Sequence, residues 1–237
     1  MNKRIVIIGD SLSQIRFLEN IQLENIYQYF LQNSLNNTYV VNYGVPSNTS
    51  RICSSTSAIN NHILATNANF YIIQLGIVDC APRIFNKYEK KIFEFLTFFP
   101  FVGKIVQKFV SYLGKKRKFL TKVRKNVMVE IDEFEKNLKK IIDNINKTSN
   151  CEKVFFINIA YPSLTVQNEY TNILDNIDKY NEIFNKLKKD YENIYIIDLY
   201  EFTKSNQDAL LADGMHINEV GHSFIAKEIL SLIENKE

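Results

Sequence analysis

Two hydrophobic patterns alternate along this chain. Short runs of β-branched and aromatic residues recur, and amphipathic stretches separate them. The runs are Ile5-Val6-Ile7-Ile8, Thr38 to Tyr43, Phe70 to Leu75, Lys153 to Ile159 and Ile194 to Asp198. Their length and composition read as buried strands. Between them, apolar residues return every three or four positions, which is the spacing of one helix face. This predicts helices from Ser11 to about Asn33, Ser54 to Thr66, about Phe119 to Asn146, Asn172 to Tyr191, and Glu219 to Ile233. In the first, Ile15, Leu18, Ile21 and Ile26 are the inward positions. Five strands alternating with helices imply a mostly parallel sheet covered on both faces, an α/β fold. A chain of 237 residues suits one such domain with an elaboration.

The elaboration falls at about residues 84–125. Phe93 to Phe101 is densely aromatic, and Pro100 breaks or starts a helix there. Val102, Ile105, Val106, Phe109, Val110 and Leu113 then keep helical spacing, with Lys104 and Lys108 off that stripe. Charge sharpens the picture. Nine of the 29 basic residues and none of the 26 acidic ones lie between Phe95 and Val129, so the remainder of the chain is net acidic. One reading is a lid or basic arm that meets an anionic polymer, a lipid headgroup surface or a second subunit. The other is a helical hairpin that packs on the domain with its lysines solvated. No nucleic-acid recognition motif is present, and no nucleic-acid partner is expected.

Composition excludes several classes. No apolar run is long enough to cross a membrane. Lys3-Arg4 leads directly into the first strand, which leaves no room for a secretory leader, so the chain reads as cytoplasmic, with peripheral membrane contact as an option. Cys53, Cys80 and Cys151 are too few and too far apart for a disulfide framework or a zinc site and read as reduced thiols. No histidine–carboxylate cluster has metal-ligand spacing, so neither metal nor cofactor is expected.

The candidate chemistry sits at the two ends. The first strand stops at Gly9-Asp10-Ser11, at the sheet edge where α/β proteins bind ligands. Ser11 is placed there as a nucleophile at the start of the first helix, whose N-terminal N–H groups and positive dipole end meet developing negative charge. Near the other end, Asp213 precedes His216 by three residues. A carboxylate so placed holds one imidazole nitrogen and leaves the other to take a hydroxyl proton. Taken alone, Asp213 reads better as a cap for the helix that follows; its pairing with Ser11 at the end of the first strand favours the catalytic reading. His222 and His62 fall within predicted helices and read as packing residues.

Gly-Asp-Ser near the start with Asp-x-x-His near the end resembles the SGNH, or GDSL-type, hydrolases. The resemblance implies a flavodoxin-like three-layer sandwich with a five-stranded parallel sheet of order 2-1-3-4-5 and a helical insertion after the third strand. It implies a Ser11–His216–Asp213 triad, and an oxyanion hole to which Gly44 lends its backbone N–H. It also implies a third block, Gly-x-Asn-Asp. Here Gly76 and Asp79 match, but Val78 stands in place of the asparagine. Valine donates no hydrogen bond, and one lost oxyanion donor typically costs about 2.7–4 kcal/mol. Asn48 and Arg83 are the nearest replacement donors in sequence, and Arg83 also suits an anionic substrate. Asp10 belongs to the same group of candidates, with loop organisation as its role. The resemblance fits an esterase that removes acyl groups, such as acetyl, from a sugar or glycan. It also allows, as an alternative, an O-acyltransferase with the same triad, and the Val78 departure keeps open a weakly catalytic glycan-binding module.

Overall fold

The structure, a computed structural model, describes residues 2–234, apart from the side chains of Lys87 and Pro100. Five strands form its sheet: β1 (Lys3–Gly9), β2 (Thr38–Asn42), β3 (Phe70–Gln74), β4 (Lys153–Ile157) and β5 (Ile194–Ile197). They are all parallel and run in the order β2-β1-β3-β4-β5, as expected. Twelve α-helical segments surround them: α1 (Tyr27–Ser34), α2 (Ser50–Cys53), α3 (Thr56–Ala58), α4 (Ile77–Cys80), α5 (Lys87–Thr97), α6 (Pro100–Gly114), α7 (Arg117–Arg124), α8 (Ile131–Ile145), α9 (Leu164–Glu169), α10 (Ile173–Asp190), α11 (Leu199–Ser205) and α12 (Glu219–Glu234).

Alternation along the strands divides the interior into two cores. Val6, Ile8, Tyr71, Ile73, Val154 and Phe156 face one side, where they meet Phe134, Leu138 and Phe184 from α8 and α10. Ile5, Ile7, Phe70, Ile72, Phe155 and Ile157 face the other, against Tyr27, Leu31, Ile225 and Ile229 from α1 and α12. The result is a three-layer sandwich with its parallel sheet buried on both faces.

Three predicted helices differ in the structure, each for a local reason. The stretch after Ser11 is a series of 3-10 turns, and regular helix begins only at Tyr27. Asn20 turns left-handed there, and Asn25 closes a capping box with Gln22. Ile21 and Ile26 are buried as predicted, but Leu18 is 97% exposed and Ile15 is also exposed. The helix predicted from Ser54 to Thr66 is α3 followed by a π-helical stretch, Ile59–Leu64. The long helix predicted from Phe119 is two helices. Lys125 turns left-handed at the end of α7. The segment to α8 is then held in extended form, because Asn126 O accepts from Arg83 N at 2.8 Å and Asp79 O accepts from Met128 N at 3.0 Å. Tertiary hydrogen bonds thus override an apolar spacing that runs through the break.

Helices α5 to α7 all lie between β3 and β4, so the predicted insertion is helical. All three thiols are free, with Cys53 and Cys80 buried. Burial of its ring pushes His222 down to about 3, and the ring packs 5.5 Å from Tyr27. His62 stacks on Tyr43.

Candidate active site

The candidate site is built on four loops at the C-terminal edge of the sheet. The first follows β1. Asp10 is fully buried and caps the Ser11–Ser13 turn, its Oδ1 accepting from Leu12 N at 2.9 Å. The turn is a single 3-10 turn rather than the start of a helix, so no helix dipole is aimed at Ser11. Negative charge there must be met by individual donors.

The last loop brings the base. Leu211 N donates to His216 O at 2.7 Å and Gly214 N to Leu211 O at 2.8 Å, which folds residues 211–216 into a tight clasp. Gly214 has φ +72, and a Cβ there would collide with Ser163 Oγ, so the clasp requires glycine. Ser163 N donates to Gly214 O at 2.9 Å and ties the clasp to the loop after β4. Inside the clasp, Asp213 Oδ1 accepts from Met215 N at 3.0 Å and His216 N at 2.9 Å. Asp213 Oδ2 lies 2.6 Å from His216 Nδ1. His216 Nε2 then lies 2.8 Å from Ser11 Oγ. Residues 205 positions apart thus form one continuous serine–imidazole–carboxylate chain. Burial works against the charge on Asp213, but the hydrogen bonds from His216 and the two backbone N–H groups outweigh it and hold the carboxyl below its ordinary range. Arg16 adds a cation 3.9 Å from Asp213 Oδ2.

The remaining predicted residues fall in different places. Gly44 is close to Ser13, and a Cβ at Gly44 would run into Ser13 Oγ; this close approach explains the glycine. Its N–H donates to Asn42 Oδ1 at 2.8 Å, which ties it to the loop. Asn48 is buried, and its Nδ2 donates to Gly9 O at 3.2 Å, which holds the loop against β1. Asp10 is fully buried and holds the turn that carries Ser11. Arg83 does reach the site. It lines a cleft of about 150 Å³ together with Ser11, Leu12, Val78, Met215 and His216. One of its terminal nitrogens donates to Val78 O at 3.3 Å, and its Nε finds no acceptor among the described residues. Val78 therefore faces the cleft with Arg83 beside it.

Sequence reasoning missed Ser47. Asn48 N donates to Val45 O at 3.1 Å, and Ser47 has φ +62, which are the marks of a type II turn over Pro46-Ser47. That position favours glycine, and a serine held there carries local strain. Ser47 lines a wider groove of about 330 Å³ that shares Val78, Arg83 and Tyr170 with the cleft. The signal in the sequence was Pro46, which presets the residue before a positive φ.

Two carboxylates stabilise this edge at a pH-dependent cost. Burial, reinforced by neighbouring Asp79 and opposed by the Leu12 N–H, raises Asp10 to about 7. Burial raises Asp79 to about 6, although Ser50 donates to it from Oγ at 2.7 Å and from N at 2.9 Å. Between the ordinary carboxylate value and these raised ones, the folded state binds more protons than the unfolded state. Stability therefore falls as pH rises from about 4 to about 7. Asp213 has the opposite shift, but its contribution is lost only as pH falls below about 4, outside this window; buried His222, held down to about 3, opposes the carboxylates within the window, and the two raised carboxylates together outweigh it. The urea midpoint is expected to be higher at about pH 5 than at about pH 8, with Asp10→Asn flattening the difference by raising the midpoint at the higher pH. A pH dependence that Asp10→Asn leaves unaltered would contradict a buried Asp10 with a raised pKa.

Comparison with known proteins agrees with this fold. The family described as GDSL-like Lipase/Acylhydrolase matches residues 5–229. A GDSL esterase/lipase, WDL1, from Oryza sativa subsp. japonica is 24% identical over 120 residues, which are 46% of this chain and 46% of that protein. The chain thus aligns with about half the length of that curated relative. A lipase/acylhydrolase from Enterococcus faecalis superposes with a TM-score of 0.64 at 18% identity, covering 99% of each chain. The acetylxylan esterase Axe2 from Geobacillus stearothermophilus, solved as a catalytic mutant, superposes with a TM-score of 0.63 at 16% identity, covering 99% of this chain and 95% of that one. The sheet order, the ends of the strands and the family match all agree: this chain belongs to the GDSL-like lipase/acylhydrolase family.

Proposed function

We propose that this protein is a serine esterase that removes short acyl groups, acetyl foremost, from a sugar or glycan. The observation that carries the reading is the unbroken chain from Ser11 Oγ to His216 to Asp213. His216 Nε2 takes the Ser11 proton as Oγ attacks the ester carbonyl. Asp213 holds the resulting imidazolium at Nδ1. His216 then protonates the departing alcohol, and water, activated the same way, releases the acid from Ser11. We assign the Ser11 N–H and the Arg83 guanidinium to the developing oxyanion, because both residues line the cleft and Arg83 can supply the donor that Val78 lacks.

Two further points support this reading. The cleft beside Ser11 is small, which suits a short acyl group. Alanine mutants of Axe2 at a serine, an aspartate and a histidine are described as catalytic, and there the aspartate also stands three positions before the histidine.

The test is acetate release from p-nitrophenyl acetate and from acetylated xylo-oligosaccharides, with and without an added sugar acceptor. Hydrolysis independent of the acceptor is expected; turnover only with the acceptor would make the protein an acyltransferase. Arg83→Met is expected to lower kcat by about 10²- to 10³-fold with little change in KM. A raised KM at unchanged kcat would assign Arg83 to substrate binding instead.

A further inference from the structure

The inserted helices leave a broad apolar face uncovered. α5 and α6 pack on each other through Phe93 and Phe109, whose ring centroids are 6.2 Å apart, and through buried Val106. Away from that seam, Phe101 is 87% exposed, Phe98 79% and Ile105 68%. On α6, Phe101, Ile105 and Tyr112 recur at helical spacing and form one outward stripe. Lys104, Lys108 and Lys115 recur at the same spacing along its shoulder, where they line a shallow groove with Tyr112. Exposed aromatic residues of this size and number mark an interaction surface.

Charge identifies the occupant. Nine cations and no acidic residue lie between Phe95 and Val129. A second copy of this chain seated here by a two-fold axis would set these cations against themselves. An anionic lipid surface complements both halves of the pattern. Aromatic rings enter the boundary between headgroups and acyl chains, and lysines bury their stems while reaching lipid phosphates.

We propose that this face docks on anionic phospholipid bilayers, with Phe98 and Phe101 in the interface and Lys104, Lys108 and Lys115 on lipid headgroups. The docking stands independently of the esterase reading. The same insertion supplies Lys90, Val110 and Arg117 to the groove that shares Arg83 and Val78 with the Ser11 cleft, with Val110 on the side of α6 away from the stripe.

Co-sedimentation of the full chain with vesicles tests it. Phosphatidylcholine vesicles containing about 30% phosphatidylglycerol are expected to bind the protein, and pure phosphatidylcholine vesicles are not. Binding is expected to weaken strongly between about 50 mM and about 500 mM salt. The pair Phe98→Ser and Phe101→Ser, and separately Lys104→Glu with Lys108→Glu, are each expected to lower the bound fraction at least about tenfold. Both pairs leave the circular dichroism spectrum and p-nitrophenyl acetate hydrolysis as they are, because neither touches the cleft. Three results would each overturn the proposal: no binding to anionic vesicles, binding that survives the phenylalanine pair, or a lipid-free dimer that the phenylalanine pair dissociates.

Discussion

Ser11→Ala is expected to lower kcat for p-nitrophenyl acetate by about 10⁴-fold or more, with the fold intact. The Ser11 hydroxyl meets His216 Nε2 at 2.8 Å and is only partly buried. Its removal opens no large cavity and leaves no buried charge, so the unfolding midpoint should barely move. Asp10 still caps the turn through Leu12 N, so the loop keeps its shape. The whole effect then falls on the chemical step. A variant that keeps more than a tenth of wild-type kcat would place the nucleophile elsewhere.

Asp213→Asn is expected to cost about 10⁴-fold in kcat, and the reason is the imidazole tautomer. An asparagine oxygen can still accept from Met215 N and His216 N, as Asp213 Oδ1 does. The clasp should therefore survive. The amide nitrogen, however, would take the place of Oδ2 beside His216 Nδ1 and donate to it. The imidazole proton would move to Nε2 and point at Ser11, where no proton could then be accepted. This substitution also separates the two readings of Asp213 that the sequence left open. A cap for the turn works as well with asparagine as with aspartate; a triad member does not. Near-wild-type kcat in Asp213→Asn would reduce Asp213 to a cap.

The fold was legible because its signals are local. Ile5 to Ile8 is apolar on both faces, as a central parallel strand must be, and β3 and β4 follow the same rule. The meeting of Ser11, His216 and Asp213 in one hydrogen-bonded chain was legible because Gly-Asp-Ser ends one such strand and Asp213 sits three residues before His216. The donors were not. Gly44 and Asn48 lie in the expected loop, but their hydrogen bonds go to Asn42 Oδ1 and Gly9 O, choices made by contacts across the fold. Ser47 escaped notice because its positive φ is imposed by a turn in which glycine would be the ordinary residue. The helix predicted across Lys125 failed for a related reason. Val123 and Val127 keep helical spacing, while Arg83 and Asp79 claim the backbone between α7 and α8.

The most direct test of the central claim is labelling with an activated fluorophosphonate, read by intact-mass and peptide mass spectrometry. The probe reacts with a serine only when a neighbouring base activates it. One adduct per chain on Ser11, formed far more slowly in His216→Ala, is the predicted result. No adduct, or an adduct on Ser11 whose rate ignores the loss of His216, would contradict a working Ser11–His216–Asp213 site.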